Sequence, residues 1–246
     1  LNDVEYIFVD DCTPDKSIEI VKEVLLEYPN RTECVKIVRH NNNQGLPAAR
    51  LSGIQYATGD YIIHSDSDDW MEPNMLESMY RKAIETGADC VYCDFNFVKA
   101  SGIERYFAPK SIGDKSEILE KWVNSTWTVI WNVLAKRELY VNNEIKFPIG
   151  VKFCEDFYVA IQLLCFATKI EHVAHPLHNY NMLNNTSILH TTQLQKMWQD
   201  QVWVYSNILT FLKEKKFFKI CDRSISWRYL NSIQGYVLDK QNYKTY

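Results

Sequence analysis

GDYIIHSDSDDW, residues 59–70, is the stretch that decides the fold. Its segment 61–64 is a short apolar run of the kind that forms a buried strand. Three aspartates, Asp66, Asp68 and Asp69, follow directly. Carboxylates this close repel one another unless a cation lies among them, and hard divalent cations prefer oxygen ligands. The stretch therefore predicts a metal site at a strand end, and a solvated acidic turn before the next helix is the alternative.

The segments on both sides alternate between strand and helix patterns. Tyr6–Val9 predicts a strand that ends in Asp10 and Asp11. Thr13 predicts the cap of a helix that ends before Pro29. Further predicted elements are a strand at 35–38, a helix at 47–57, a strand at 61–64, a helix that starts at 73 and a strand at 90–98. The alternation predicts an α/β, Rossmann-like fold, with a mostly parallel sheet and helices on both faces.

Two acidic clusters fall where predicted strands end. Asp10 and Asp11 follow the first strand, and Asp66 to Asp69 follow the third. Ligands of open α/β sheets bind beyond the carboxyl ends of the strands. We therefore expect the two clusters to meet in one crevice.

The second half of the chain is less regular. A short helix is predicted at 116–123, and a helix at 155–167 is apolar on nearly all sides, which indicates that it is buried. An apolar stripe from Trp198 to Leu212 and a last helix at 223–238 predict a C-terminal helical extension. The stripe is expected to pack on the rest of the chain, with dimerisation as the alternative.

Composition excludes several classes of protein. The 246 residues allow one large domain or slightly more, at roughly 150 residues per domain. A net charge of −4 argues against a nucleic-acid-binding protein, which needs a basic face. The 7 scattered cysteines favour reduced thiols. No apolar run approaches the ~20 residues of a bilayer span. These features predict a cytoplasmic protein, at most peripheral at the inner face of the membrane.

Several motifs occur in an order and spacing that point to one family. They are VDDCT at 9–13, NQGLPAAR at 43–50, ATGDYI at 57–62, DSDDW at 66–70, and FP at 147–148 followed by ED at 155–156. In these motifs the chain closely resembles the family 2 glycosyltransferases of the GT-A fold, in the nucleotide-diphospho-sugar transferase superfamily. The resemblance implies an inverting, metal-dependent enzyme that moves a sugar from a nucleotide diphosphate to an acceptor hydroxyl in glycan or cell-surface polysaccharide synthesis.

The resemblance also implies the residues that bind the donor. Asp11 would accept a hydrogen bond from the nucleotide base, and Asp68 would be the direct ligand of Mg²⁺ or Mn²⁺, with Asp66 close to the ribose and the metal. The implied donor-binding set is Asp10, Asp11, Arg50, Asp66, Ser67 and Asp68, with Asp66 and Asp68 as the metal ligands. Three residues have a structural role as the alternative to a role in donor binding: a strand-end turn for Asp10, an exposed salt bridge for Arg50 and a helix cap for Asp69.

Glu155 and Asp156 begin the buried helix, whose amino-terminal dipole favours an ionised carboxylate. Adjacent helical side chains point about 100° apart, so one of the two faces the reacting centre. The family assigns the catalytic base to the aspartate, which implies Asp156, and leaves Glu155 as an acceptor contact. The alternative is that both carboxylates only cap the helix. Trp127 and Trp131 are predicted either to stack on an acceptor sugar or to lie in the core.

The chain departs from the family at three points. The family's first strand has no counterpart, which suggests a partial sequence. Leu51 stands where the family usually has Asn, and His178 stands where it often has an aromatic residue. Two rival interpretations remain: a phosphotransferase of the haloacid dehalogenase type, because of the Asp-x-Asp, and a catalytically inactive module that binds sugar nucleotides.

Partners are predicted less specifically. The donor is a nucleotide-diphospho-sugar and the acceptor a glycan or a lipid-linked molecule. The lysine-rich run Lys213–Lys219 is either a solvated helix end or a contact with an anionic membrane. We divide the chain into a nucleotide-sugar-binding part at 1–115, an acceptor-side part with the base at 116–190 and a helical region at 191–246.

Overall fold

The computed structural model describes residues 3–110, 114–184 and 193–238. The strands are β1 (Tyr6–Asp10), β2 (Val35–Arg39), β3 (Tyr61–Ile62), β4 (Trp70–Met71), β5 (Cys90–Lys99), β6 (Gly102–Tyr106), β7 (Val133–Lys136) and β8 (Ile170–Asn181). The helices are α1 (Ser17–Glu27), α2 (Leu46–Tyr56), α3 (Met75–Thr86), α4 (Lys115–Asn124), α5 (Arg137–Asn142), α6 (Glu155–Phe166), α7 (Leu194–Glu214) and α8 (Phe218–Leu238). The predicted alternation of strand and helix up to β5 is confirmed.

β1 and β2 form a parallel pair in which Tyr6 lies opposite Val35. α1 and a 3₁₀ helix, Pro29–Cys34, connect them. α1 begins later than the sequence predicts, because Thr13 is part of the turn that leaves β1. Its hydroxyl donates to Asp15 Oδ1 over 2.8 Å, so it does not cap the helix. The expected strand is confirmed, and the expected cap is wrong.

A second sheet of 6 strands has the order β3-β7-β5-β8-β4, with β6 also paired to β5. In this sheet only β5 and β8 are parallel, and the other pairs in the described residues are antiparallel. The expectation of a mostly parallel sheet is therefore wrong. One of these antiparallel pairs has a local cause: after Lys99 a tight turn returns the chain as β6, and parallel pairing would need a long crossover. The other three join strands that are distant in sequence.

Helices cover both faces of the second sheet, as predicted. Alternate residues of β5 point to opposite faces. Cys90 and Tyr92 lie in the larger apolar cluster with α4, α6 and the C-terminal helices. Val91 and Cys93 lie in a separate cluster with Met79 of α3. The sheet is thus the middle of three layers, and β5, buried on both sides, is its centre.

α6 is buried along its length, as its sequence predicts. Every residue from Phe157 to Cys165 is buried. Its one polar member in that range, Gln162, is satisfied by the backbone of Lys146, with bonds of 3.1 Å and 3.0 Å. A helix with no solvent face has a fixed position, so the carboxylates at its first turn are fixed with it.

The C-terminal helical extension is also confirmed. α7 and α8 pack against each other and onto α6 and α4. The buried line of α7 is Val204, Tyr205, Ile208 and Leu212. Trp198, at the start of the predicted stripe, is only partly buried. The stripe therefore packs on the chain as expected, with its centre rotated toward Val204 and Ile208.

Two further observations bear on the organisation of the chain. β5 pairs with both β7 and β8, so the ranges 1–115 and 116–190 share one sheet. None of the described helices combines the length and apolar character that a membrane span requires.

Gly235 of α8 gives the first testable prediction. A Cβ at this position would lie 2.6 Å from the indole of Trp198, which is closer than side chains tolerate. We expect Gly235→Ala to destabilise the protein by about 1–3 kcal/mol, because overpacking outweighs the better helix propensity of alanine. Urea unfolding measures this.

The matched control for Gly235→Ala is the same substitution in a Trp198→Leu background. There the clash is absent, and alanine should stabilise the helix by about 0.8 kcal/mol. If Gly235→Ala destabilised both backgrounds equally, the indole contact would not be the cause.

Candidate active site

The loop that precedes α2 is held by hydrogen bonds to the carboxylate of Asp11. This carboxylate accepts hydrogen bonds from the backbone N–H of Gln44 at 2.8 Å and of Gly45 at 2.7 Å. His40 Nδ1 donates to the same carboxylate over 2.6 Å, and His40 Nε2 lies 2.8 Å from Ser52 Oγ. Burial acts to raise the pKa of Asp11, but these hydrogen bonds outweigh it and lower the pKa. Asp11 is therefore a fixed anion at the mouth of the loop.

Asp10 has a different role from its neighbour. Its Oδ1 accepts from Thr13 N at 2.9 Å, and Oδ2 lies 3.1 Å from Arg39 Nε. Only 4% of the side chain is exposed. Of the two interpretations that the sequence leaves open, these contacts favour the strand-end turn for Asp10.

Arg50 of α2 connects three segments that are distant in sequence. Its Nη2 donates to Asp66 Oδ1 over 2.7 Å, and its Nη1 donates to Asp156 and lies 3.4 Å from Glu155 Oε1. The side chain is 6% exposed. The sequence leaves open an exposed salt bridge for Arg50, and this alternative is wrong. The sequence predicts that the two acidic clusters meet in one crevice. Among the described residues Arg50 instead joins Asp66 to the carboxylates of α6, and no contact brings Asp10 or Asp11 to this cluster.

The electrostatics of this cluster follow from one cation among three carboxylates. Burial acts against the charge of Arg50, but Asp156, Asp66 and Glu155 raise its pKa. Burial and the charge of Asp156 raise the pKa of Glu155 to about 8. Burial also raises the pKa of Asp156, although Arg50 opposes the change. A raised pKa suits a carboxylate that must take up a proton near neutral pH.

His64 lies beside this cluster without adding charge to it. Burial and the charge of Arg50 lower its pKa to about 3. Its Nε2 lies 3.2 Å from the hydroxyl of Tyr140, which is fully enclosed in the core. A neutral imidazole here leaves Arg50 to balance the carboxylates.

The outer part of the acidic loop, residues 66–69, is hydrogen-bonded to β8 and to the residues after it. Asn184 Nδ2 donates to Asp68 Oδ2 over 2.7 Å. Asp69 accepts from His178 and from the backbone of Asn181, and does not cap α3. Ser67 is exposed between them. Asp66 and Asp68 are thus held from opposite sides of the loop.

The two predicted acceptor tryptophans differ in exposure. Trp131 is 2% exposed and packs with Phe95 and Phe97, so it belongs to the core and the acceptor interpretation is wrong for it. Trp127 is partly buried against Phe97 and Tyr180, with ring centroids 5.0 Å and 5.5 Å away. Glu155 retains 13% exposure at the edge of the Arg50 cluster.

The donor set of the loop fits a hard divalent cation only in part. Asp66 and Asp68 supply carboxylate oxygens, the ligand type that Mg²⁺ and Mn²⁺ prefer. Within the three described ranges, no group of three His, Cys, Asp or Glu side chains is placed to hold a metal ion. A cation here would therefore need oxygens from its substrate to complete its coordination.

The family model for glycosyl transferase family 2 matches residues 1–149, which is more than half of the chain. The chain belongs to glycosyltransferase family 2. The match includes Asp11, Arg50, Asp66 and Asp68 and ends before Asp156.

Relatives within and around the family agree with this membership. The putative glycosyltransferase EpsH of Bacillus subtilis is 27% identical over 223 residues, which are 87% of this chain and 62% of EpsH. The poly(ribitol-phosphate) beta-glucosyltransferase of Bacillus spizizenii is 29% identical over 168 residues, 68% of this chain and 26% of that protein. The chain therefore spans less than two thirds of these relatives.

A crystal structure of S. aureus TarS residues 1–349 in complex with UDP-GlcNAc superposes with a TM-score of 0.71, over 93% of this chain and 63% of that one. Sequence identity is 18%, so the likeness concerns the fold. Together with the mixed sheet and its two helical layers, it shows the GT-A fold that the motifs predict. A fold of the haloacid dehalogenase type is thereby excluded.

Several residues of the site have no signal of their own in the sequence. His40 lies in a polar run and Asn184 in an asparagine pair, and neither belongs to a motif. The roles of Arg50 and His178 depend on partners 106 and 109 residues away in sequence, Asp156 and Asp69. A long-range ion pair of this kind has no periodic pattern from which it could be predicted.

Glu155→Gln gives a pH prediction. Because the pKa of Glu155 is raised from 4.5 to about 8, the folded chain keeps a proton that the unfolded chain releases. The stability from this group is complete below the unfolded pKa and is lost as the pH rises through the folded one. The variant should therefore gain stability over wild type as the pH rises, by at most about 1.4 kcal/mol per unit between about pH 5 and about pH 8.

Urea unfolding at several pH values measures this difference, with Glu138→Gln as the control because 62% of that side chain is exposed. A difference between Glu155→Gln and wild type that stayed constant with pH would show that Glu155 is ionised throughout.

Proposed function

We propose that this chain carries the donor site and the base of an inverting glycosyltransferase, which transfers a sugar from a nucleotide diphosphate to an acceptor hydroxyl. The observation that carries the proposal is the contact of Arg50 with both Asp66 and Asp156. Asp66 belongs to the loop proposed to bind the donor, and Asp156 is the proposed base. One buried guanidinium therefore fixes the distance between the two functions.

The donor side consists of fixed anions and an exposed loop. In this proposal Asp11 faces the base of the nucleotide, and Asp66, Ser67 and Asp68 face its ribose and diphosphate. TarS binds UDP-GlcNAc on the same fold, which supports a uridine donor as the first to test. The acceptor is proposed to be a growing polysaccharide, since the Bacillus spizizenii relative is named as a poly(ribitol-phosphate) glucosyltransferase.

A divalent cation, Mg²⁺ or Mn²⁺, is proposed to be held by Asp68 with Asp66 nearby. When bound, it would offset the charge that develops on the departing diphosphate. Arg50 cannot serve that purpose alone, because three carboxylates already surround it. This need for positive charge beyond Arg50 supports the proposal.

Asp156 is proposed to act as the base in a single displacement. It accepts the proton of the acceptor hydroxyl while that oxygen attacks the anomeric carbon and the bond to the diphosphate breaks. Its second oxygen, Oδ2, lies 3.5 Å from Ile130 N, so one face of the carboxylate is lightly engaged. Glu155, its neighbour in the first turn of α6, and Trp127 are the proposed acceptor contacts.

The sugar nucleotide itself is found by screening. Thermal shift with UDP-sugars and GDP-sugars, with and without Mn²⁺, identifies the donor, and hydrolysis of each hit measures turnover. A catalytically inactive binding module would show shifts without any turnover.

Asp156→Asn tests the base. We expect turnover to fall about 100-fold or more, because the amide cannot take up the proton, while the affinity for UDP stays within about threefold of wild type. Asp60→Asn is the matched control, since Asp60 is an exposed aspartate just before β3. Unchanged turnover in Asp156→Asn would refute the assignment, and an equal loss of UDP affinity would move Asp156 to the donor site.

Asp68→Asn tests the cation. Calorimetric titration of UDP into wild type should show tighter binding with Mn²⁺ than without it. The variant should lose most of this gain, because Asp68 is the proposed metal ligand. It should keep its metal-free affinity, because only one oxygen of the side chain changes. Ser65→Ala, at an exposed residue of the same segment that has no proposed role, is the control and should retain most of the gain. Equal binding of wild type with and without Mn²⁺ would contradict a metal at Asp68.

A further inference from the structure

His178 and Asp69 form a buried pair between β8 and the acidic loop. His178 Nε2 donates to Asp69 Oδ2 over 2.9 Å, and both side chains are 0% exposed. The other oxygen of Asp69 accepts from Asn181 N at 2.8 Å. Asp69 is thus held through both of its oxygens by the end of one strand.

The opposite side of the imidazole is packed rather than hydrogen-bonded. The ring stacks on Trp131, with centroids 4.2 Å apart and planes 21° apart. Within the part of the chain that the structure describes, His178 Nδ1 is buried without a hydrogen-bond partner. Such an atom is costly to bury. An aromatic hydrocarbon would fill this space without that cost, so the hydrogen bond to Asp69 is what the histidine adds.

Asp69 is the direct neighbour of Asp68, the residue for which a metal contact is proposed above. A fixed Asp69 restricts the backbone of Asp68, and Asn184 restricts the end of the Asp68 side chain. The carboxylate is therefore oriented from both ends. Groups that orient a metal ligand typically change metal affinity 10- to 100-fold when they are lost.

We propose that His178 is a positioning residue of the donor site: through Asp69 it holds Asp68 in the orientation that receives the cation together with the diphosphate of the donor. This inference rests on the proposed function. His178 itself touches neither the cation nor the donor. The proposed role differs from packing alone because it requires the N–H at His178 Nε2.

Two pairs of substitutions separate the hydrogen bond from the packing. His178→Phe keeps an aromatic ring against Trp131 and removes the donor, whereas His178→Gln removes the ring and keeps an N–H near the Nε2 position. If His178→Phe does not fold, His178→Asn takes its place in the comparison with His178→Gln. Asparagine also carries an amide, but its side chain is too short to place an N–H near the Nε2 position. Asp69→Ala removes the acceptor.

The measurement is calorimetric titration of UDP, with and without Mn²⁺, into each variant. We expect His178→Phe and His178→Asn to weaken UDP binding about tenfold with Mn²⁺ and to leave metal-free binding within about twofold. His178→Gln should stay within about threefold of wild type in both conditions. His178→Phe combined with Asp69→Ala should bind no more weakly than Asp69→Ala alone, because both changes break the same bond.

Each other outcome has a definite meaning. If wild type binds with Mn²⁺ but His178→Phe and His178→Asn bind equally well, the inference is wrong and the proposed function stands. If the variants weaken binding equally with and without Mn²⁺, His178 supports the fold in general and the inference is also wrong. If wild type binds neither UDP nor GDP with Mn²⁺, the proposed function fails and the inference fails with it.

Discussion

One buried cation holds the site together. Arg50 contacts carboxylates from the loop after β3 and from the first turn of α6, and it projects from α2. Buried ion pairs add little net stability compared with apolar packing, but the loss of one partner leaves an uncompensated buried charge. The arginine is therefore better understood as a device that fixes where three segments lie than as a source of stability.

The same cluster determines what the crevice can bind. Three carboxylates around one guanidinium leave an excess of negative charge, and burial reduces it by favouring the protonated form of Glu155. A phosphate would not enter such a site unaided. This repulsion is the physical reason for the proposal that the diphosphate binds together with a divalent cation.

The local elements could be predicted from the sequence, because they depend on local signals. The strand before Asp10 and Asp11, the apolar helix α6 and the acidic loop 66–69 are all visible as runs or periodic patterns. The direction of the strands could not be predicted, because a turn after Lys99 and the pairing of β4 with β8 decide it.

In the site, too, local sequence predicted part of the arrangement and the tertiary fold determined the rest. The motifs identified Asp66, Asp68 and Asp156 as candidates, but their contacts are set by the tertiary fold. Trp131 illustrates the difference, since composition alone does not tell a stacking platform from a core residue, and its 2% exposure does.

The acidic loop is fixed at both of its ends by different parts of the chain. Arg50 holds Asp66 on the side of α6, and His178 holds Asp69 on the side of β8. β8 is the long parallel partner of β5, and α6 is enclosed in the core beneath the same sheet. A shift of the loop would therefore disturb two buried contacts at once. Because Arg50 also touches Asp156, the distance from the loop to that carboxylate follows from the packing of the core.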